Sequence, residues 1–328
     1  INDNISHLHM QMNNYGIWSR KMTMSDRDGF IWFDGKLVPW REAKVHVLTH
    51  TLHYGMGVFE GVRAYETENG TGIFRLFDHT KRLINSAKIL GMKIPFSENE
   101  INEATKLVVK ENELKSGYIR PMCFYGSEGM GLRADNLQEH LIVAAWEWGS
   151  YFSEDNLKNG IRIKTSSYTR HHVNATMCKA KANGNYINSM LALQEALNCG
   201  YDEALLLDVH GYVSEGSGEN LFIVSNNTIY TPEVNSALDG ITRRTVMKIA
   251  EDEGIEIKVK QITRDEVYIA DEAFFTGTAA EVTPIRELDN RIIGSGSRGP
   301  ITENLQKKFF DVVNGKSEKY KDWLTIVK

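Results

Sequence analysis

Lys-Ala-Asn-Gly-Asn-Tyr, residues 181–186, and Ser-Glu-Gly-Ser-Gly-Glu-Asn, residues 214–220, are the most informative segments of this 328-residue chain. Two glycine-hydroxyl turns accompany them, Gly240-Ile241-Thr242 and Thr276-Gly277-Thr278-Ala279. Each segment alone is weak, because most lysines and glutamates are solvated surface charges and Gly-Thr turns are common. Their occurrence together in one chain is what makes them informative.

Together these segments supply the groups that pyridoxal phosphate requires. The cofactor needs an amine for a Schiff base, an acidic partner for its ring nitrogen and amide donors for its phosphate. Lys181 and Glu215 offer the first two. Gly240-Ile241-Thr242 opens a predicted helix, whose free amides and positive dipole end attract a dianion. The sequence therefore predicts a pyridoxal-phosphate site.

Composition is that of an ordinary globular protein and excludes several classes. The chain is 41% hydrophobic and 25% charged, and its length favours two domains or one large one. Its net charge of −5 offers no basic footprint, so we expect no nucleic-acid partner. No run approaches the roughly 18 apolar residues of a membrane span. Cys123, Cys178 and Cys199 lack CxxC spacing, which predicts core thiols and a cytoplasmic protein.

The pattern along the chain predicts two domains of mixed strands and helices. Residues 1–23 have no signal-peptide pattern, and we expect a poorly ordered extension ahead of the natural start. Residues 24–148 are expected to form a small α/β domain, 149–156 an interdomain linker and 157–328 a large cofactor-binding domain. Asp34-Gly35, between two short apolar runs, predicts a type I′ hairpin.

Capping signals and apolar runs predict the longer elements. Asp78 is expected to cap a helix that ends at Gly91, and Ser97 with Glu100 forms a capping box for the next helix. Strands are predicted at 118–125, 141–148, 161–166, 204–209, 221–225 and 255–259. Later helices are predicted at 188–198, 242–253 and 302–313.

Two other pattern matches are set aside. Residues 294–299 fit GxGxxG, but no second strand with an acidic residue follows, as a dinucleotide site requires. His46, His50 and His53 have helical spacing, yet no acidic residue or cysteine lies between them. We expect packing residues and no metal site there.

A series of further motifs runs in order from about Gly29 to the C-terminus. They are Ile31-Trp32-Phe33-Asp34-Gly35, Ala43-Lys44-Val45-His46-Val47, His53-Tyr54-Gly55, Val58-Phe59-Glu60-Gly61-Val62-Arg63, Tyr118-Ile119-Arg120-Pro121, Gly129-Met130-Gly131-Leu132 and Gly277-Thr278-Ala279-Ala280-Glu281. With the lysine and glutamate segments, they resemble the class IV (fold type IV) pyridoxal-phosphate enzymes. Within that family the chain is similar to the bacterial branched-chain amino acid aminotransferases.

The resemblance implies an α+β fold like that of D-amino acid aminotransferase, with a small α/β domain and a larger β-barrel-like domain with flanking helices. It implies reversible transfer of an amino group, with ping-pong kinetics, between L-leucine, L-isoleucine or L-valine and 2-oxoglutarate. The products are branched-chain 2-oxo acids and L-glutamate. It also implies a homodimer with shared active sites, or a hexamer of three such dimers.

The resemblance assigns site residues as well. Lys181, rather than Lys179, forms the Schiff base, because it directly precedes Ala-x-Gly-Asn-Tyr. Asn183 departs from the family, which often has glycine or a small residue there. The implied cofactor-binding residues are Arg82, Lys181, Tyr186, Glu215, Gly240, Ile241, Thr242, Gly277 and Thr278. The implied substrate residues are Tyr54, Phe59, Arg63, Tyr118, Arg120, Met130, Leu132, Trp148, Tyr151, Tyr186, Thr278 and Ala279.

Some of these implied roles are specific. Tyr118 and the amides around Thr278 and Ala279 take the substrate α-carboxylate, with Arg63 in support. Arg120 meets the side-chain carboxylate of glutamate. The aromatic residues wall an apolar pocket, and two residues, Met130 and Leu132, come from a second subunit.

Other interpretations stay open at this point. A D-amino acid aminotransferase or aminodeoxychorismate lyase would share the fold, but Tyr118-x-Arg120 and Gly129-Met130-Gly131-Leu132 argue against both. A non-enzymatic metal or phosphate binder would use the histidine cluster and the Gly-Thr turns, and it predicts a colourless protein.

Overall fold

A computed structural model describes residues 10–12, 18–20, 23–149 and 151–328, so the predicted poor order of residues 1–23 falls mostly outside it. The strands are β1 Met10–Met12, β2 Trp18–Arg20, β3 Phe30–Phe33, β4 Lys36–Pro39, β5 Gly57–Phe59, β6 Val62–Thr67, β7 Gly70–Phe74, β8 Gly117–Tyr125, β9 Glu139–Trp146, β10 Ile161–Thr165, β11 Glu203–Leu207, β12 Val213–Gly216, β13 Asn220–Ser225, β14 Thr228–Thr231, β15 Ile257–Val259, β16 Glu272–Gly277, β17 Glu281–Leu288, β18 Arg291–Ile292 and β19 Leu324–Val327. The α-helices are α1 His50–Tyr54, α2 Leu76–Ile89, α3 Glu98–Glu111, α4 Glu154–Asn159, α5 Tyr186–Asn198, α6 Ile241–Asp252, α7 Arg264–Tyr268 and α8 Pro300–Val313.

The first large sheet is antiparallel and carries two helices. Its strands run in the order β19-β7-β6-β8-β9-β3-β4, and β5 also pairs with β8. The amphipathic helices α2 and α3 bury Leu83, Ile101 and Val108 in the core against this sheet. Because β19 pairs with β7, the C-terminal residues return to the sheet built by the first half of the chain. The boundaries given above for the small domain, the linker and the large domain remain a prediction.

The second large sheet is mixed and lies in the second half of the chain. Its order is β12-β11-β10-β17-β16-β13-β14-β15, with β18 on β17. The pairs β10·β11, β10·β17 and β14·β15 are parallel. Helices α6 and α8 pack on the sheet, where Phe222 and Phe274 stack with ring centroids 5.0 Å apart. The two sheets with their helices give an α+β fold, as predicted.

Some local predictions are confirmed and two are wrong. Asp34 and Gly35 both have positive φ and join β3 to β4, and the Ser97–Glu100 capping box is present. Asp78 does not cap α2, because Arg75 occupies the N-cap position with a left-handed backbone. The Arg75 amide donates to the Trp323 carbonyl, and this hydrogen bond fixes the start of the helix. Cys199 is exposed, because it caps the C-terminus of α5 at the surface.

Two findings concern membrane-spanning helices and metal sites. Every helix in the described ranges is too short or too polar to cross a lipid bilayer. In the same part of the chain, no group of three or more His, Cys, Asp or Glu side chains could hold a metal ion. The ring of His50 instead contacts the Gly131 carbonyl at 2.7 Å, and that of His53 contacts the Val47 carbonyl at 2.9 Å.

Candidate active site

A cavity of about 420 Å³ lies where the two sheets meet, and most of the predicted site residues line it. It receives β5 and β8 from the first sheet, β12 and the end of β16 from the second, and the start of α6. The predicted residues that line it are Phe59, Arg82, Tyr118, Arg120, Trp148, Tyr151, Lys181, Tyr186, Glu215, Gly240, Ile241, Thr242, Gly277, Thr278 and Ala279.

The Lys181 side chain enters the cavity, and hydrogen bonds hold both its backbone carbonyl and its backbone amide. Its carbonyl accepts the amide of Phe59 at 3.0 Å, and its own amide donates to Ser86 Oγ at 3.0 Å. The side chain runs between two aromatic rings, and Nζ donates to Tyr186 Oη at 2.5 Å. The amine therefore has a fixed position with one polar contact.

Lys179 is arranged differently. Its Nζ donates to the carbonyls of Val234 and Ala237, in the loop that leads to α6, and its side chain is absent from the cavity lining. Burial lowers the pKa of Lys179. Of these two lysines, only Lys181 presents its amine to the cavity.

Glu215 provides a buried carboxylate at another wall. Its Oε2 accepts the amide of Leu238 at 3.1 Å, and its Oε1 lies 2.8 Å from Arg170 Nε. The Arg170 contact is an ion pair without hydrogen-bond alignment, so Oε1 has no hydrogen-bond partner among the described residues. Burial raises the pKa of Glu215, and the charge of Arg170 opposes that effect. An oxygen left this way can accept a donor from a bound molecule.

The start of α6 forms an anion-binding corner. Gly240 is the N-cap, provides no side-chain capping bond, and precedes a first turn without acidic residues. Free amides and the helix dipole therefore face the cavity beside Ile241 and Thr242. Arg82 adds a positive charge from α2, and its Nη1 donates to the carbonyl of Asp239 at 3.0 Å. A Cβ on Gly240 would lie 2.0 Å from Asn220 Oδ1, so any larger residue here would displace the Asn220 side chain.

The guanidinium of Arg82 is held by Glu60, which the sequence did not single out. Arg82 Nε and Nη2 lie 2.6 and 2.9 Å from the two Glu60 oxygens, and His79 Nδ1 lies 2.7 Å from Oε2. Glu60 and His79 are both buried. The charges of Arg82 and His79 outweigh burial and lower the pKa of Glu60. Two parallel bonds of this kind fix the plane of a guanidinium.

Another part of the cavity lining combines aromatic rings with Arg120 and Tyr118. Arg120 Nη2 donates to Tyr118 Oη at 3.3 Å, and its guanidinium lies 4.7 Å from the Phe59 ring centroid. Trp148 packs on Tyr118 with centroids 5.2 Å apart. A Cβ on Gly61 would lie 1.9 Å from Tyr118 Oη, which explains a glycine at that position. Apolar and positive surfaces are therefore adjacent.

Four predicted residues do not line the cavity of this chain. Tyr54 is half exposed, and its ring packs at a tilt against that of His50 with centroids 4.5 Å apart. Arg63 is buried and pairs with Glu281 at 3.8 Å. Met130 and Leu132 are exposed on the surface, Leu132 to 91%. The last two were predicted to act in a second subunit.

Several residues that line the cavity had no site role predicted from the sequence. They are Gly61, Ser189, Met190, Leu193, Ser217, Gly218, Glu219, Asn220, Leu238 and Thr276. Four of them belong to the glutamate segment at 214–220, so that motif already contained them. Arg170 has no recognisable sequence signal, because its partner lies 45 residues further along the chain.

The residues present fit pyridoxal phosphate. The Lys181 amine, the Glu215 carboxylate, ion-paired with Arg170, and a helix N-terminus backed by an arginine all line one cavity. These are the groups that the cofactor's aldehyde, ring nitrogen and phosphate require.

Comparisons with known proteins agree with this chemistry. The family model described as amino-transferase class IV matches residues 57–288. The branched-chain-amino-acid aminotransferase of Pseudomonas aeruginosa is 65% identical, over 94% of this chain and 100% of that protein.

Solved structures are similar over the same length. A branched-chain amino acid aminotransferase with pyridoxamine 5'-phosphate, from the source abbreviated T.th., has a TM-score of 0.90 at 50% identity, covering 92% of this chain and 99% of that one. The same enzyme complexed with N-(5'-phosphopyridoxyl)-L-glutamate has a TM-score of 0.89 at 50% identity, with the same coverage.

Proposed function

Because the chain belongs to the class IV aminotransferase family, we propose that it transfers amino groups reversibly between L-leucine, L-isoleucine or L-valine and 2-oxoglutarate. The observation that carries this proposal is the cavity itself: the Lys181 amine, the Glu215 carboxylate and the α6 N-terminus line one space. Apolar rings and Arg120 complete its lining, which suits one branched and one acidic side chain.

Pyridoxal phosphate, when bound, supplies an electron-withdrawing ring that makes the substrate α-carbon acidic. The Glu215 carboxylate, which Arg170 keeps in place, would hold a proton at the ring nitrogen. The α6 amides, Arg82 and the Thr278 side of the cavity would bind the phosphate. Tyr186 Oη, already 2.5 Å from Lys181 Nζ, would bind the ring hydroxyl.

Lys181 moves the proton in the reaction. Its Nζ lies between the rings of Phe59 and Tyr186, where it would stay beside a bound substrate. From there it would take the proton from the substrate α-carbon as a general base and deliver it, as an acid, to the carbon that carried the cofactor's aldehyde. A second substrate reverses the sequence, which gives ping-pong kinetics.

Substrate binding follows from the two ends of the cavity. Tyr118 Oη and the amides of Thr278 and Ala279 bind the α-carboxylate. Phe59, Trp148, Tyr151 and Tyr186 pack on a branched side chain. Arg120 pairs with the second carboxylate of glutamate and 2-oxoglutarate, and its place over the Phe59 ring lets one pocket accept both substrates.

The active unit is a homodimer with shared sites, or a hexamer of such dimers. In support, large apolar side chains are exposed around α1 and the 130–132 loop, including Leu52, Met130 and Leu132. Exposed apolar patches of this kind mark association surfaces. We also propose that the protein is cytoplasmic, and the free thiols of Cys123 and Cys178 support this location.

The test is a visible absorption spectrum before and after L-leucine is added without any oxo acid. A yellow protein whose visible band disappears on adding L-leucine supports the proposal. A yellow band that persists in L-leucine but responds to a D-amino acid favours the D-amino acid enzyme instead. A colourless protein that pyridoxal phosphate does not restore refutes it.

A further inference from the structure

The turn that carries Thr278 and Ala279 ends in a strained residue. Both residues line the cavity between β16 and β17, and Glu281 follows with φ of +57°. A left-handed backbone is unfavourable for any residue except glycine. Such strain persists only where the surroundings impose it, and it concentrates at functional sites.

Two residues of β6 hold the Glu281 side chain. Tyr65 Oη donates to Glu281 Oε1 at 2.9 Å, and Arg63 Nη2 lies 3.8 Å from the same oxygen. All three side chains are buried. Burial raises the pKa of Glu281, and the charge of Arg63 opposes that effect. Because β6 and β17 belong to different sheets, this contact ties the turn to the first sheet.

The start of the same strand also lies close to the Tyr118 hydroxyl. Arg63 of β6 is the register partner of Tyr118 in β8. Gly61, just before β6, passes so close to Tyr118 Oη that no Cβ would fit. The segment from Gly61 through β6 therefore contacts both the Tyr118 hydroxyl and, through Arg63 and Tyr65, the Glu281 side chain.

We propose that Tyr65 and Glu281 are positioning residues for the substrate α-carboxylate, because their hydrogen bond holds the Thr278 and Ala279 amides at a set distance from Tyr118 Oη. The inference rests on the proposed function. Neither side chain lines the cavity, so each acts through the turn.

The test compares two reversible ligands by calorimetry on the cofactor-loaded protein. 4-Methylpentanoate has the branched chain and the carboxylate but no amine, so it binds without reacting. 4-Methylpentan-1-ol keeps the chain and lacks the carboxylate. Tyr65→Phe should weaken the acid about tenfold and leave the alcohol within about twofold, because only the acid needs the aligned amides.

A matched control removes a different tyrosine hydroxyl that also donates a hydrogen bond to a carboxylate. Tyr268 Oη donates to Asp289 at 2.7 Å and lies outside the cavity lining. Tyr268→Phe should leave the affinity for the acid unchanged. Equal losses for acid and alcohol in Tyr65→Phe, or no loss for the acid, overturn the proposal.

Glu281 provides a second route if Tyr65→Phe does not fold. Glu281→Ala should show the same selective loss for the acid. Glu281→Gln keeps an acceptor for Tyr65 Oη and should recover the acid affinity to within about threefold of the parent. A parent protein that is colourless and does not bind the acid would reject the proposed function itself.

Discussion

Glu203→Gln should make the protein more stable than its parent at alkaline pH. Glu203 is fully buried on β11, where Oε1 accepts the amide of Ala204 at 2.6 Å. Its Oε2 has no hydrogen-bond partner among the described residues. Burial raises the pKa of Glu203 from 4.5 to about 7, although the Ala204 amide and polar contacts from Ser217 oppose that effect. The negative charge of Glu203 contributes in turn to a raised pKa of Glu219, a second buried carboxyl, which lines the cavity.

The sign follows from where the proton is held. The folded protein keeps a proton on Glu203 over a pH range in which the unfolded chain has released it. The associated stability is therefore complete below about pH 4.5 and is lost as the pH rises through about 7. Each pH unit between these values costs about 1.4 kcal/mol, so the full loss is about 3 kcal/mol. A glutamine does not titrate and avoids this loss.

The assay is urea unfolding of parent and variant at pH 5.5 and pH 8.5. The gain in free energy of unfolding from Glu203→Gln should be larger at pH 8.5 by about 2 kcal/mol. Glu272→Gln is the matched control: this buried carboxylate accepts bonds from the Ile301 amide and from the Thr302 amide and hydroxyl. Its replacement should be destabilising at pH 8.5. An equal effect of Glu203→Gln at both pH values would refute the reasoning.

Four substitutions test the proposed chemistry directly. Lys181→Ala should abolish turnover of L-leucine with 2-oxoglutarate, whereas Lys179→Ala, whose amine faces backbone carbonyls, should keep most of it; the reverse result in a steady-state assay would move the covalent attachment to Lys179. Glu215→Gln should keep the visible absorption of the cofactor but lower kcat about 10- to 100-fold, and an unchanged kcat would contradict its role. Arg120→Leu should lower kcat/KM for 2-oxoglutarate about 10- to 100-fold with little effect on L-leucine, and equal losses would argue against charge recognition.

Elements with strong local signals could be predicted from the sequence. The Asp34-Gly35 hairpin and the Ser97 capping box are encoded within a few residues, and both are present. Strands β5, β6 and β7 were not predicted. Much of β5 to β7 is buried on both faces, so the sequence shows no polar alternation there. The Asp78 prediction failed because a residue more than 200 positions away, Trp323, fixes the start of α2.

The family and the lining of the site could be predicted because the motifs occur in a fixed order along the chain. The predicted family is confirmed. The sequence could not show the buried residues that form ion pairs with the charged residues of the cavity lining. Glu60 reaches Arg82 across 22 residues and Arg170 reaches Glu215 across 45, and neither spacing corresponds to a helix or strand repeat. These contacts depend on tertiary structure alone.

Those partners follow a common pattern that explains why buried charges are present at all. Arg82 is backed by Glu60, and Glu215 by Arg170, each at 2.6–2.8 Å and shielded from solvent. A buried ion pair adds little to stability, because desolvation offsets the attraction. Its advantage here is geometric: each charged group that faces the cavity is oriented before a ligand arrives, so binding requires less reorganisation. The same reasoning predicts that Glu60→Gln, which leaves the Arg82 guanidinium largely buried without a counter-charge, lowers the free energy of unfolding by about 3–5 kcal/mol in urea unfolding and also misorients Arg82 in the cavity.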